Sequence, residues 1–139
     1  MPSDTIKITE MSPACGGIIE GVDLSKKLTN RQFDEIYDAV VDRVVIVFRN
    51  QDLSPDQHVS FARRFGQPQA AAVSGFEKNK DYPEIDNLDY DAERPPHVTK
   101  DLWHTDFAGR ECPTWGTVIY AREIPPEGGD TIWVNSVAA

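Results

Sequence analysis

Apolar and polar positions change their period twice in the first half of the chain. Phe33, Ile36, Tyr37, Val40 and Val41 recur at i, i+3, i+4, i+7 and i+8, which lays them along one stripe of an α-helix. Asp34, Glu35, Asp38 and Asp42 fall on the side expected to face water. Thr29 and Gln32 precede the stripe as a capping box, hydroxyl and amide each satisfying an N–H at the helix start. The period then breaks. Val44, Val45, Ile46, Val47 and Phe48 form a β-branched run too short for a helix, and the run predicts a strand buried on both faces. Asn50, Gln51 and Asp52 make the turn out of it. Ser54 as N-cap, Pro55 at the first helical position and Gln57 three residues after the cap predict a second helix. Its apolar face runs through Phe61, Ala62 and Phe65, with Gly66 as its C-terminal cap and Pro68 preventing continuation.

Residues 67–100 carry the least pattern. Ile85 and Leu88 suit a short strand, whereas EKNKD and DAERPP read as exposed loop, and a loop of this length in a compact domain is usually functional or mobile. Strand-like runs return at Gly116–Tyr120 and Thr131–Val134, separated by a PPEGG turn. Helices followed by separated short strands predict an α+β chain whose strands belong to a sandwich or barrel. A length of 139 residues predicts a single domain, residues 1–139. The final WVNSVAA follows a strand directly, so the chain is expected to be a portion of a longer one.

Charge narrows the partners. A formal charge of −9 argues against nucleic acid, whose phosphates require clustered Lys and Arg. No apolar run is long enough to cross a bilayer, and no basic segment followed by an apolar stretch marks a signal peptide. The expectation is therefore a cytoplasmic protein with neither nucleic-acid nor membrane partners. Cys15 and Cys112 lie far apart in no metal-like spacing and read as free thiols.

The chemistry candidate is Trp103-His104-Thr105-Asp106-Phe107. A His and an Asp two residues apart on extended backbone point to the same side. An imidazole nitrogen and a carboxylate oxygen suit Fe(II) in the two-histidine, one-carboxylate facial triad. Taken alone the pattern is weak, because 23 of the 139 residues are acidic. A surface histidine beside a solvated aspartate is its commoner meaning.

The surroundings are more specific. WHTD, a strand of small and apolar residues, the AREIP element and then GGDTIW together resemble taurine dioxygenase and its relatives, the TauD/TfdA family of Fe(II)- and 2-oxoglutarate-dependent dioxygenases. Upstream, GGIIEGVDLSKKLTNRQFDEIYDAVVDRVVIVFRNQDLSPDQHVSFARRFG resembles the same family's N-terminal region. The likeness runs from about Ile8 to Ala139 and is weakest across residues 67–100.

The resemblance implies part of a double-stranded β-helix, or jelly-roll, with N-terminal helices packed on it. It implies His104 and Asp106 as iron ligands and Thr131 as a contact of the 2-oxoglutarate carboxylate. It implies a dioxygenase that consumes O2 and 2-oxoglutarate, releases succinate and CO2, and hydroxylates a small organic substrate. Lys100 stands where the family has an asparagine and reads either as a contact for an acidic substrate group at the mouth of the site or as a solvated loop lysine; Phe107 is a further candidate substrate contact. The family's distal histidine ligand and co-substrate arginine have no counterpart after His104. His58 and His97 are read as structural or solvated, and Arg110 and Arg122 lie outside the matching region for that arginine. The taurine-binding histidine stretch is replaced by QPQAAAVSGF, so taurine is not the expected substrate. Trp103, Trp115 and Trp133 are read as packing residues.

Three other readings compete. The chain as it stands is a catalytically incomplete fragment or a degenerate, partner-dependent relative; or it is a cupin-like metal protein, although those usually present His-x-His; or it is an acidic interaction domain without metal. A half jelly-roll exposes sheet edges, so homo-oligomerisation or aggregation is expected as well.

Overall fold

A computed structural model of the chain describes residues 5–69, 77–88 and 103–139. The chain divides into two compact units, Met1–Pro68 with Glu123–Ala139, and Gln69–Arg122.

The first unit is built on strands β1 (Lys7–Glu10), β2 (Gly17–Glu20) and β3 (Ile46–Phe48) with helices α1 (Asn30–Arg43) and α2 (Pro55–Ala62). β1 pairs antiparallel with β2, Lys7 opposite Glu20 and Glu10 opposite Gly17. β2 pairs parallel with β3, Gly17 opposite Ile46 and Ile19 opposite Phe48. A parallel pair requires a crossover, and the segment carrying α1 supplies it.

Both helices start where the capping boxes place them. The hydroxyls of Thr29 and Ser54 accept from the backbone N–H of Gln32 and Gln57, whose side chains accept from the cap N–H in return. Each such cap contributes roughly 1 kcal/mol. The buried stripe of α1 is narrower than the sequence predicts: Ile36 and Ala39 are buried, whereas Tyr37 and Val41 are exposed. On α2 the buried pair is Val59 and Phe61.

The expected strand from Val44 starts two residues later, because Val44 closes α1. Its φ is 67° and its N–H donates to the Val40 carbonyl at 2.8 Å, a conformation that ends a helix and excludes a strand. β3 is half-buried rather than buried on both faces. Around it Phe33, Phe48, Phe61 and Phe65 form an edge-to-face chain with centroids 4.9 to 5.7 Å apart. Ile6, Ile19, Leu24, Leu28 and Leu53 complete the core.

Two polar side chains fasten this unit. The Arg43 guanidinium donates to the carbonyls of Ser12 and Gly16 and pairs with Glu10 at 3.3 Å. It thereby closes the β1–β2 connection, where Gly16 takes φ 90°, a conformation that favours glycine. Glu35, placed on the water side by the sequence pattern, instead accepts from the N–H and hydroxyl of Thr5, from the Ile6 N–H and from Arg31 at 2.7 to 3.1 Å. These bonds, the Thr5 hydroxyl foremost and then Arg31, hold its carboxyl below the ordinary value of 4.5. A carboxylate depressed in the folded state stabilises fully above its unfolded pKa and loses that contribution as pH falls through the folded value. Glu35→Gln is therefore expected to flatten the loss of stability below pH 4.5, read from thermal melts at stepped pH. Identical acid limbs in the two proteins would exclude the clamp.

In the second unit β4 (Glu77–Lys78) pairs antiparallel with β5 (Asp86–Asn87), beside the short strand expected at Ile85 and Leu88. The expected strands Gly116–Tyr120 and Thr131–Val134 are not among the strands of the described residues. A β-branched composition favours extended backbone, but a strand also needs a register of bonds to a neighbouring strand. Their side chains are exposed accordingly, Ile119, Ile132, Trp133 and Val134 among them. The three tryptophans read as packing residues are exposed too. Among the described residues no helix is long and apolar enough to cross a membrane.

Candidate functional site

His104 and Asp106 stand where the segment Trp103–Thr105, outside any helix or strand, enters a turn that begins at Asp106. The turn is tight. Phe107 takes φ 50°, and the Arg110 N–H donates to the Phe107 carbonyl at 3.1 Å. A left-handed conformation at a bulky residue costs about 1–3 kcal/mol and clusters at functional sites.

The two candidate ligands meet. Nε2 of His104 lies 3.4 Å from Oδ1 of Asp106, and both side chains reach solvent. The other carboxylate oxygen, Oδ2, accepts from the Thr117 hydroxyl at 2.9 Å, while the Asp106 carbonyl accepts from the Thr114 hydroxyl at 3.4 Å. Thr117 thus leaves Oδ1 to face the imidazole, an orienting contact with no signal in the sequence. Ligand bonds of about 2.0–2.2 Å allow one ion to span donors up to about 4 Å apart. The 3.4 Å separation of this nitrogen and oxygen falls inside that span, so the pair fits an Fe(II)-type ion. Among the described residues no group of three His, Cys, Asp or Glu side chains gathers around one point.

The remaining candidates are placed as follows. Phe107 is half-buried, and the Arg110 guanidinium lies 3.9 Å from its ring centroid. Arg110 also donates to the Gln69 side-chain oxygen. Thr131 is exposed and belongs to the first unit, just after Gly128 and Gly129 at φ 74° and 72°. His58 is half-buried on α2. Lys100 and His97 lie outside the described residues. Cys15 and Cys112 are free.

Comparison with known proteins points one way. The family model for taurine catabolism dioxygenase TauD, TfdA family, matches residues 7–139. A 2,4-dichlorophenoxyacetate dioxygenase of Cupriavidus pinatubonensis, alpha-ketoglutarate-dependent, is 29% identical over 93% of this chain and 50% of its own length. An alpha-ketoglutarate-dependent sulfonate dioxygenase of Saccharomyces cerevisiae is 31% identical over 96% of this chain and 34% of its own length. Among solved structures, a candidate alpha-ketoglutarate-dependent taurine dioxygenase from Burkholderia xenovorans aligns with a TM-score of 0.53 and 37% identity over 56% of this chain and 28% of that one. The chain thus spans half or less of the length of these relatives.

Proposed function

The chain belongs to the taurine catabolism dioxygenase TauD, TfdA family, and from that premise we propose that it carries the metal-binding half-site of an Fe(II)- and 2-oxoglutarate-dependent dioxygenase. His104 and Asp106 would hold the iron. The observation that carries this reading is their donor pair, one nitrogen and one oxygen 3.4 Å apart, in the chemistry that the facial triad requires. Thr117 orients the carboxylate, as partners behind a ligand generally do. Thr131 would donate its hydroxyl to a 2-oxoglutarate carboxylate. Bound iron and 2-oxoglutarate supply the oxidising chemistry with O2, giving succinate, CO2 and a hydroxylated product; the protein supplies position and exclusion of water.

The substrate class is a small organic anion. Two relatives are named for 2,4-dichlorophenoxyacetate and for sulfonates, a carboxylate and an oxyanion of sulfur. Lys100 and Phe107, on either side of the ligand pair in sequence, are the substrate contacts in this reading. The expected jelly-roll belongs to this proposal as well, with the chain forming the N-terminal portion of a longer dioxygenase domain. The exposed Ile119, Ile132, Trp133 and Val134 support self-association of the chain as it stands.

The lack of a third donor beside His104 and Asp106 among the described residues favours a second reading, in which this chain is catalytically incomplete by itself. An anaerobic titration with Fe(II) and 2-oxoglutarate, followed by the visible absorption of their chelate, separates the two. Saturable absorption supports a working metal site in these residues. Its absence overturns that reading in favour of the incomplete one.

A further inference from the structure

The outward side of α1 carries two open clefts that share one acidic wall. Asp38 and Asp42 border both. One cleft, of about 440 Å³, has Val41, Val44 and Val137 as its apolar lining. The other, of about 580 Å³, has Ile6 and Ile8. Both volumes lie in the range of binding clefts. Val137 is held there by a turn: the Asn135 amide donates to the Ala14 carbonyl at 2.9 Å, and its oxygen accepts from the Val137 N–H at 3.0 Å. Val44 is held more tightly. With φ 67° and ψ −42° it forms a γ-turn, closed by the Val45 N–H on the Arg43 carbonyl at 2.7 Å, a rare and strained conformation. The N–H groups of Gly16 and Gly17 grip the carbonyls of Arg43 and Val45 on either side of it, at 2.8 and 2.9 Å. Glycine or asparagine would sit there with less strain. The valine is 47% exposed, so burial does not account for its presence. Strain that the surroundings over-determine gathers where a protein meets a ligand. The acids pose the same question. Asp34, Asp38 and Asp42 follow one another at i, i+4 and i+8, where like charges oppose the helix. Asp38 forms no ion pair among the described residues. Asp42 has only a long one, 3.8 Å to Arg43, whose guanidinium lies closer to Glu10.

We infer that this face of α1 is a docking surface for a cationic amphipathic helix of a protein partner. Apolar side chains at helical spacing on such a partner enter the two clefts, and the Lys or Arg side chains between them meet Asp38 and Asp42. Charge selects this occupant over a second copy. A second copy would bring the same acids from a chain of net charge −9, and like charges across an interface repel. The partner's cations would also relieve the repulsion along α1, and the strained valine supplies apolar surface where glycine or asparagine would supply none. The inference goes beyond the oxygenase reading: none of these residues is a candidate ligand of the metal, the co-substrate or the substrate.

The test titrates the full chain into a fluorescein-labelled helical peptide of leucine and lysine in heptad register, at about 0.15 M salt, and reads anisotropy. The same peptide with glutamate in place of lysine is the control. The lysine peptide is expected to bind saturably and the glutamate peptide not at all. Asp38→Lys with Asp42→Lys should weaken the lysine peptide about tenfold or more and let the glutamate peptide bind. Asp52→Lys with Glu127→Lys makes the same change of net charge outside the clefts and should stay within about threefold of the parent. Val44→Asn should weaken the lysine peptide about fivefold through lost apolar contact, yet melt no lower than the parent, since asparagine tolerates the positive φ. A merely structural role for Val44 would lower both. Val41→Ser carries the apolar arm should a melt show that Val44→Asn does not fold. Equal weakening by the two charge pairs marks general attraction to an acidic chain and overturns the inference. So does a lysine peptide that fails to bind, or one that binds unchanged by Val44→Asn. A dimer in sedimentation that Val44→Asn disperses assigns the face to a second copy and overturns it as well.

Discussion

Replacing His104 with alanine is expected to abolish the visible absorption of the Fe(II)–2-oxoglutarate chelate and to weaken iron binding by at least about 100-fold. Removing a group that only orients a ligand already costs about 10- to 100-fold, and His104 supplies the nitrogen of a two-donor pair whose members lie 3.4 Å apart. Loss of that donor leaves the Asp106 carboxylate, oriented by Thr117, as a single donor that cannot define a site. Thr117→Val provides the graded comparison. It removes the 2.9 Å hydroxyl bond from Oδ2, keeps both donors, and should weaken iron within the 10- to 100-fold range. Both side chains of the ligand pair reach solvent, so neither change should disturb folding. Chelate absorption that survives His104→Ala would place the iron elsewhere and end the assignment. An effect of Thr117→Val as large as that of His104→Ala would mean that the threonine is itself a ligand, or that the loop depends on it.

The contrast between these two residues shows what the sequence could reveal. The closeness of His104 and Asp106 was legible because a spacing of two is a local relation, and local relations survive in sequence. Thr117 reaches Asp106 across a loop of eleven residues, and Arg110 reaches Gln69 across forty-one; no periodicity encodes either. The fold divides along the same line. The starts of α1 and α2 were legible because capping boxes are chemistry between residues three apart. β1 and β2 were not: each is only four residues long, too short for a period to stand out, and β1 is exposed throughout. Their existence depends on each other and on β3, which pairs with β2 across the α1 crossover. The strands expected at Gly116–Tyr120 and Thr131–Val134 are not among those of the described residues: propensity describes a residue, whereas a strand is a relation between two segments. Glu35 was misplaced by the helical pattern because its partners Thr5 and Ile6 come from a segment about thirty residues away.

The pattern of α1 leads to the second large effect. Ile36→Ala is expected to destabilise the chain by about 2–5 kcal/mol, the usual cost of truncating a large aliphatic side chain in a packed core. Ile36 is 0% exposed and is the largest fully buried side chain among the described residues. The helix that carries it is the crossover between the parallel strands β2 and β3, so the surroundings are held from both sides and have little room to collapse onto a cavity. Domains of this kind are stable by only about 5–15 kcal/mol in total, so the change removes a substantial share. Val41 lies on the stripe that the sequence reads as equivalent, yet it is 62% exposed. Val41→Ala should therefore stay within about 0.5 kcal/mol of the parent. Urea unfolding of both variants, followed by helical circular dichroism, decides between the observed stripe and the sequence-based one. Equal costs at the two positions would restore the wider stripe, and a cost below about 1 kcal/mol at Ile36 would mean that α1 does not seal the core.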